Sequence, residues 1–337
     1  MEINAQDRTQ LLAVIERLPR QGLVVLGDLV ADEFVYGEIA RVSREAPVLI
    51  LKQRERQIVP GGGGNAANNL SDLGVKTVPV GLIGDDDEGE ALLRYFRQKG
   101  VTTSLVLRVP GYRTPTKCRI LGGLAHWQRQ QIVRVDREPI APPSGAIRTQ
   151  LASLAARALG SASGALISDY GYGAAGPSEA AALRRKIARR SIPLTVDSRF
   201  NLESYRGLTA ATPNEPEIEA MEQEHIGNDV ALLERLSRKI IRRQRFQALL
   251  VTRGRDGMVL FEPRRPPRAL PIFGADQAVD VTGAGDTVIA TFTAALAAGA
   301  DFVRAAMLAN CAGGLVVMKR GTATVTAREL REAVRNQ

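Results

Sequence analysis

Apolar residues occur along this chain as short unbroken runs that alternate with runs at helical spacing. The unbroken runs are typical of strands buried on both faces of a parallel sheet, and apolar residues three or four positions apart are typical of amphipathic helices. The predicted strands are 22–28, 78–85, 165–169, 193–197 and 248–252, and the predicted helices are 87–99, 146–159, 178–190 and 230–243. This alternation predicts an α/β fold with a mostly parallel central sheet and helices on both faces.

Two patches of the chain break this alternation. The segments that look like short strands outside the central sheet are 34–37, 47–52, 116–121 and 131–136. We predict that they pair into one small β-sheet, formed by about 33–58 and 105–136, which closes over a bound ligand as a lid. The connectors require no second independent domain, so residues 1–337 are predicted to form a single domain. Because the lid would have open edges, a homodimer through it is expected.

The composition narrows the possible chemistry. The chain has 45 Lys and Arg against 36 Asp and Glu, a formal charge of +9, which favours an anionic partner such as a nucleotide, a sugar phosphate or nucleic acid. Its two cysteines, Cys118 and Cys311, lie far apart in the sequence, which argues against a disulfide framework or a zinc site. With only His126 and His225 in the chain, a carboxylate is the expected catalytic group.

The N-terminal sequence bears on where the protein resides. No apolar run reaches transmembrane length, and the first residues lack the apolar core of a signal peptide. Leu11, Val14, Ile15 and Leu18 instead recur at helical spacing. We therefore predict a leading amphipathic helix on a cytoplasmic protein that has no membrane partner.

The stretch from Asp280 to Asp286, DVTGAGD, is the strongest candidate for chemistry. It follows a β-prone stretch that ends at residues 278–279 and opens into an apolar run, so it predicts a strand, a glycine turn and a helix start. The first N–H groups of a helix form an anion site, and a carboxylate beside that site is explained if Asp286 is the general base of a phosphoryl transfer. The alternative is an ordinary glycine turn in which Asp286 is favoured by the helix dipole.

Two earlier stretches are candidates for binding a substrate. The first predicted strand leads to Asp28 and Asp32, and ligands of α/β sheets collect at such strand ends. Asp32 is therefore a candidate for holding substrate hydroxyls, unless it only caps a turn. Four glycines, 61–64, precede Asn65 and a run of small helix-forming residues. They favour a turn that lets the backbone approach a ligand over a flexible linker.

Three marks in this order resemble those of the ribokinase-like, or PfkB, carbohydrate kinases. They are the glycine-rich 61–65, the Asn-x-x-Glu of 214–217, and 280–286. Within that family the closest resemblance is to the D-glycero-D-manno-heptose 7-phosphate kinases of ADP-heptose synthesis. The further stretches that are similar to theirs are 41–48, 168–173, 212–214 and 319–325. The resemblance spans the chain from Gly22 to about Leu330, and it implies a ribokinase-like fold with a β-sheet lid.

The resemblance also implies a role for individual residues. The reaction would be ATP-dependent phosphorylation of the C1 hydroxyl of heptose 7-phosphate, with Asp286 as general base and an anion hole at Gly283, Ala284 and Gly285. The implied sugar contacts are Asp32, Gly62 and Asn65, and the implied nucleotide contacts are Asn214, Thr252, Gly254, Gly257 and Asn310. Asn214 and Glu217 would hold Mg²⁺, through water.

A sugar that already carries a phosphate requires an additional cation in its pocket. Arg129 and Arg134 of the lid, or Arg199, are candidates for this contact, although each also fits a solvated strand face. The chain departs from the heptose kinases near the expected pocket, where Tyr172 stands for a common lysine and Ser198-Arg199 for a common proline-lysine. The chain ends at Gln337, without room for a nucleotidyltransferase domain, so a stand-alone kinase is expected.

Two alternatives stay open at this point. A PfkB kinase with the same mechanism would act on another sugar, another sugar phosphate or a nucleoside. A non-catalytic nucleic-acid-binding or regulatory protein on the same fold is suggested by basic clusters at 184–190, 238–245 and 264–268. No aromatic residues interleave those clusters, and such charge runs are usually solvated helix faces, so nucleic acid is the weaker expectation.

Overall fold

The computed structural model describes residues 3–123, 130–274 and 278–337, which form two β-sheets and the helices around them. The strands are β1 (Gly22–Gly27), β2 (Leu29–Val42), β3 (Leu49–Gly62), β4 (Lys76–Ile83), β5 (Val106–Arg108), β6 (Thr116–Gly123), β7 (Gln130–Arg137), β8 (Gly164–Asp169), β9 (Leu194–Ser198), β10 (Ala210–Ala211), β11 (Ala248–Thr252), β12 (Met258–Phe261) and β13 (Arg268–Leu270). The α-helices are α1 (Ala5–Arg17), α2 (Gly63–Asp72), α3 (Asp87–Gln98), α4 (Gly145–Ala158), α5 (Pro177–Lys186), α6 (Glu215–Glu222), α7 (Val230–Gln244), α8 (Ala284–Ala297), α9 (Phe302–Val316) and α10 (Ala327–Arg335).

The larger sheet has, within the described residues, the strand order β13-β12-β11-β10-β9-β8-β1-β4-β5. Its pairs from β11 to β5 are parallel, and only β12 and β13 join in antiparallel fashion. The predicted mostly parallel sheet is therefore confirmed. Since neighbouring parallel strands end at one edge, the residues that follow β1, β8 and β9 lie close together there.

Helices cover both faces of this sheet, as the alternating pattern predicts. Helices α1, α2, α8, α9 and α10 bury their apolar side chains in one core, while α4, α5, α6 and α7 pack into a second core on the opposite face. Cys118 and Cys311 are both buried. Throughout the described residues, no helix has the length and apolar character needed to cross a membrane.

The predicted pairing of the two irregular patches is also confirmed. Strands β3, β2, β6 and β7 form a separate sheet in that order, in which β2 pairs in parallel with β6 and the outer pairs are antiparallel. The register places Lys117 beside Asp32. This small sheet takes up less of the second patch than the predicted 105–136, because β5 pairs with β4 at the edge of the larger sheet.

One predicted element is wrong. Residues 278–279, where the β-prone stretch ends, are not in a strand, and the chain from Ala278 to Thr282 runs irregularly to the start of α8. Residues 275–277 of the stretch lie outside the described residues. The backbone N–H groups of Val279 and Asp280 both donate to the carbonyl of Val317 at 2.8 and 3.0 Å. Val279 and Val281 are 51% and 68% exposed, so their β-branched side chains lack the packing that makes such residues favourable in strands.

Candidate active site

Helix α2 packs against the N-terminus of α8, and Gly283 makes this close approach possible. Gly283 is the N-cap of α8 and has a positive φ of 76°, a conformation that glycine adopts without steric cost. A Cβ atom here would lie 2.4 Å from Nδ2 of Asn65. The same Nδ2 donates to the Gly283 carbonyl at 3.3 Å. The glycine-rich segment and the DVTGAGD segment thus meet, although they are far apart in sequence.

Asp286 is the carboxylate at the centre of this contact. It is 3% exposed, its Oδ2 accepts from the Asn65 amide at 2.9 Å, and its Oδ1 accepts from the Tyr170 hydroxyl at 2.8 Å. Burial raises the pKa of Asp286 to about 7, the nearby Asp197 and Asp32 contribute in the same direction, and the two hydrogen bonds oppose them. A carboxyl group with a pKa near 7 is well matched to general-base catalysis at neutral pH.

The backbone donors of the glycine turn differ in their availability. The N–H of Ala284 donates to the carbonyl of Val281 at 3.2 Å. Within the described residues, the N–H groups of Gly283 and Gly285 have no protein acceptor. Unpaired donors at the positive end of a helix attract an anion. Of the three predicted anion-hole positions, two therefore have a free N–H group.

Asp32, predicted to hold substrate hydroxyls, lies on β2 facing the same site. It is 5% exposed, and its carboxylate accepts from Arg119 at 2.7 Å and from the Thr322 hydroxyl at 2.8 Å. Gly62, the N-cap of α2, has a φ of 55°, and a Cβ there would lie 3.2 Å from the Tyr170 ring. Both predicted positions thus border the Asp286 region.

Asp28 plays a different part from Asp32. Its buried carboxylate accepts backbone N–H groups from Tyr170, Tyr172 and Ala174, at 2.8, 3.0 and 2.8 Å. Burial raises the pKa of Asp28 to about 7. The three backbone hydrogen bonds lower this pKa, and the negative charge of the nearby Asp169 raises it. Asp28 therefore fixes the loop after β8, and this loop carries Tyr170 to the carboxylate of Asp286.

A cavity of about 500 Å³ opens beside Tyr170, between the small sheet and the ends of β8 and β9. We call it the small-sheet cavity. Its lining residues are Lys117, Arg134, Asp136, Glu138, Pro139, Ile140, Ala141, Pro142, Tyr170, Gly171, Tyr172, Arg199 and Phe200. The volume lies within the range of small-molecule sites, and Tyr170 connects the cavity to Asp286.

The cations of the small-sheet cavity are not equivalent. Arg134 forms two hydrogen bonds, of 2.8 and 2.9 Å, with the carboxylate of Asp136. Neither Lys117 nor Arg199 has a carboxylate partner among the described residues; Lys117 Nζ lies 4.8 Å from the centre of the Tyr170 ring, and Arg199 stacks on the ring of Phe200. Arg129 lies outside the described residues. The two cations free to meet an anion are thus Lys117 and Arg199.

A second cavity, of about 220 Å³, lies at the α8 N-terminus, and we call it the α8 cavity. Four predicted nucleotide contacts line it, namely Thr252, Gly254, Gly257 and Asn310. Ala284 and Gly285 of the glycine turn line it as well. The side-chain amide of Asn310 donates to the Pro271 carbonyl at 2.7 Å. The α8 cavity therefore touches the helix start directly, and the small-sheet cavity is connected to it through the hydrogen bond of Tyr170 to Asp286.

Asn214 and Glu217 form the N-terminal cap of α6. The Asn214 side chain accepts from the Glu217 N–H at 2.8 Å, and the Glu217 carboxylate accepts from the Asn214 N–H at 3.0 Å. Asn214 also forms a backbone bridge with Thr252, which connects it to the α8 cavity. The Asn-x-x-Glu motif thus has a structural role in this fold, independent of any metal ion.

The fit of this region to Mg²⁺ depends on Glu217 and Asp197. Burial raises the pKa of both carboxyl groups, and repulsion from Glu217 adds to the effect on Asp197. A cation near the pair would relieve this repulsion, and carboxylate oxygens are suitable Mg²⁺ ligands, directly or through water. Among the residues described, no three acidic, histidine or cysteine side chains are grouped as a ready-made metal site. The donor chemistry fits a water-mediated Mg²⁺ site.

Sequence reasoning assigned no role to Tyr170, Lys117, Arg119 and Thr322, although all four lie in this site. The alternation of side chains along a strand places Lys117 and Arg119 on one face of β6. Their proximity to Asp32 depends on the parallel pairing of β2 with β6, and a sequence alone gives no such register. Tyr170 and Thr322 lie in loops, where no periodic pattern predicts the direction of a side chain.

Comparison with known proteins agrees with this arrangement. The family model described as pfkB family carbohydrate kinase matches residues 21–328. The curated relatives include Bifunctional protein HldE of Trichlorobacter lovleyi, 38% identical over 329 residues that cover 97% of this chain and 66% of the relative. Bifunctional protein HldE of an Enterobacter species is 39% identical over 320 residues, 94% of this chain and 64% of the relative. The chain thus spans about two thirds of the length of these relatives.

Solved structures with the same fold are more distant in sequence. Ribokinase of Arabidopsis thaliana complexed with ribose and ATP superposes with a TM-score of 0.71 at 20% identity, covering 93% of this chain and 98% of that one. Phosphofructokinase-2 of Escherichia coli in complex with substrates and products gives a TM-score of 0.75 at 16% identity, over 94% and 99% of the two chains. These likenesses establish a ribokinase-like fold.

Proposed function

The chain belongs to the pfkB family of carbohydrate kinases, which are ATP-dependent sugar kinases, and from this premise we propose that it phosphorylates the C1 hydroxyl of D-glycero-D-manno-heptose 7-phosphate. The observation that carries the proposal is the position of Asp286. It lies in the first turn of α8, whose start lines the α8 cavity, and its Oδ1 accepts from Tyr170, a lining residue of the small-sheet cavity. The sugar phosphate would occupy the small-sheet cavity and ATP the α8 cavity.

In this mechanism Asp286 takes the proton of the attacking hydroxyl. The pKa of about 7 keeps a substantial fraction of the carboxyl group ionised at neutral pH, ready to accept that proton. The free N–H groups of Gly283 and Gly285 would face the phosphoryl group during its transfer and stabilise its negative charge. Asn65 holds Oδ2 of this carboxylate in place.

Mg²⁺ would supply charge neutralisation for the ATP phosphates when bound. Glu217 would hold it through water, with Asp197 as a neighbouring carboxylate. Asn214 would act on the nucleotide side by keeping Glu217 oriented through the cap of α6. Thr252, Gly254, Gly257 and Asn310 would then surround the nucleotide as lining residues of the α8 cavity.

The choice of a phosphorylated sugar is supported by the unpaired cations of the small-sheet cavity. Burial lowers the pKa of the Lys117 ammonium, and Arg199 acts in the same direction while Asp32 opposes it. Neither cation forms an ion pair with a carboxylate of the described residues, although Asp197 and Glu217 attract Arg199 from a longer distance. Lys117 and Arg199 repel each other, and an anionic group between them would reduce that repulsion. We therefore assign the non-reacting phosphate to Lys117 and Arg199, with Arg134 and the predicted Arg129 as further candidates.

Replacement of these cations should discriminate between acceptors. In Lys117→Gln and in Arg199→Gln, we expect KM for heptose 7-phosphate to rise roughly tenfold or more, since a hydrogen bond to a charged group contributes about 1.5–3 kcal/mol when buried and less where solvent screens it. The rate with unphosphorylated heptose as acceptor should stay within about twofold of the wild-type value. An ADP-release assay with the two acceptors measures both values.

Arg94→Gln serves as the matched control, because Arg94 is exposed on α3, away from the cavity. It removes the same charge and should leave both KM values unchanged. If the Lys117 and Arg199 variants lose activity equally with both acceptors, the phosphate assignment is wrong. If the wild-type enzyme prefers unphosphorylated sugars, the alternative of a PfkB kinase for another sugar or a nucleoside takes precedence.

The outer face of the small sheet supports the proposed homodimer. Val133 and Val135 on β7 are 45% and 46% exposed, and they alternate with Arg134, which lines the small-sheet cavity. An apolar outer face with an open strand edge is suited to association with a second copy. A monomeric mass in solution would contradict this part of the proposal, whereas the kinase mechanism would be unaffected. A cytoplasmic location stays a prediction.

A further inference from the structure

We infer that Tyr170 is a positioning residue for the phosphoryl-transfer base, because its hydroxyl holds Asp286 from the side on which the acceptor enters. This inference rests on the proposed role of Asp286. Tyr170 lines the small-sheet cavity and donates to Oδ1 of Asp286 at 2.8 Å. Asn65 donates to the other oxygen, Oδ2, at 2.9 Å. Each oxygen of the carboxylate thus has one protein donor.

The Tyr170 ring is itself held in place by three contacts. Its backbone N–H donates to Asp28 at 2.8 Å, Lys117 lies over its face with Nζ 4.8 Å from the ring centre, and Gly62 packs against its edge without a Cβ. Contact with the ammonium group favours this ring position. These contacts therefore stabilise the rotamer in which the Tyr170 hydroxyl points toward Asp286.

The direction of the hydrogen bond is also defined. Burial and the neighbouring Asp286 and Asp197 raise the pKa of Tyr170 well above its usual value, so the phenol stays protonated and donates. A donor to a carboxylate favours its ionised form. The charged and titratable groups that face Asp286 are Tyr170, Asp197, Asp32 and Lys117, with the neutral Asn65 opposite. Tyr170 offsets part of the repulsion from the two acidic residues.

The two donors therefore act on different oxygens of the Asp286 carboxylate. Asn65 belongs to α2 and holds Oδ2 beside the glycine turn, whereas Tyr170, a lining residue of the small-sheet cavity, holds Oδ1. A sugar hydroxyl that reaches Oδ1 would meet a carboxylate already oriented and ionised. Tyr170 would contribute to the rate through the state of Asp286, without taking a proton from the substrate itself.

The test compares the pH dependence of kcat/KM in the wild type and in Tyr170→Phe. With Asp286 as base, wild-type kcat/KM should fall below about pH 7, where the carboxyl group becomes protonated. Loss of the phenol hydroxyl should move this acid limb upward by about one pH unit. At pH 7 the ionised fraction of Asp286 would then drop from about one half to about one tenth. A purely structural ring would leave the limb unchanged.

Two further variants make the test decisive. Tyr95→Phe is the matched control, because the Tyr95 hydroxyl accepts from Asn68 on α2 and makes no hydrogen bond to Asp286 among the described residues, so it should leave the limb in place. Replacement of Tyr170 by a fluorinated tyrosine keeps the shape of the ring but makes the hydroxyl a stronger donor, so the limb should move downward. It also preserves the test if Tyr170→Phe does not fold.

The outcomes separate this inference from the proposed function. If Asp286→Asn abolishes transfer and the limb of Tyr170→Phe stays at the wild-type pH, the role of Tyr170 is overturned and that of Asp286 stands. If Asp286→Asn retains transfer, the proposed base is wrong, whatever Tyr170→Phe does. Opposite shifts in the phenylalanine and fluorotyrosine variants support the inference.

Discussion

Asp286→Asn should reduce kcat by about 10³-fold, within the range of 10² to 10⁴ that a positioned general base contributes. The substitution removes the proton acceptor but hardly changes the shape of the side chain. The new amide oxygen can accept from Asn65, and the new NH₂ group can donate to the Tyr170 hydroxyl, so both contacts of Asp286 persist. ADP release in the presence of acceptor measures the loss.

The folded state of this variant provides the control. A buried carboxyl group whose pKa is raised by burial is replaced by a neutral amide, so thermal unfolding should occur within a few degrees of the wild type. ATP binding should persist as well, because the α8 cavity is not lined by Asp286. A variant that is folded, binds ATP and turns over at the wild-type rate would remove Asp286 from the mechanism.

Gly283→Ala should reduce turnover by about 100-fold, as expected for a misplacement of roughly 1 Å in a catalytic group. The new Cβ would lie 2.4 Å from Nδ2 of Asn65 and 3.3 Å from Cγ2 of Thr322. Asn65 must therefore move, and its hydrogen bond to Asp286 is lost or bent. Steady-state kinetics would record a lower kcat.

The control for backbone strain is Gly299→Ala, just beyond α8. Gly299 has a φ of 84°, close to the 76° of Gly283, but a Cβ added to Gly299 would meet no atom of another residue within 4 Å. Both substitutions place a side chain in the left-handed region, so this strain should lower the free energy of unfolding of each by about 1 kcal/mol, and Gly283→Ala should lose more because Asn65 must move. Only Gly283→Ala should lose activity. Equal kinetic losses in the two variants would attribute the effect to strain.

The sequence predicts the fold and the centre of the site because both depend on local patterns. Buried parallel strands leave unbroken apolar runs, and the turns at Gly62 and Gly283 require a residue that tolerates a positive φ. Asn65 and Asp286 follow those glycines by a few positions. Their encounter across α2 and α8 is then a consequence of the fold.

The surroundings of the centre could not be predicted in the same way. Tyr170 reaches Asp286 from the loop after β8. Lys117 reaches the small-sheet cavity from β6 of the small sheet, and its position there depends on the register between β2 and β6. Arg134 was a reasonable candidate for a phosphate contact, yet Asp136 lies two residues further on the same face of β7 and binds it. The prediction of a strand that ends at 278–279 was wrong there because the β-propensity of a segment does not reveal whether a partner strand lies beside it.

The most direct test of the central claim is the position of the phosphoryl group in the product. The wild-type enzyme, ATP, Mg²⁺ and D-glycero-D-manno-heptose 7-phosphate should give a product whose ³¹P NMR spectrum keeps the C7 phosphate signal and gains a second one, coupled to the anomeric proton. That result would identify transfer to the C1 hydroxyl. A new phosphate on any other carbon, or ADP release without a second sugar phosphate signal, would contradict the account.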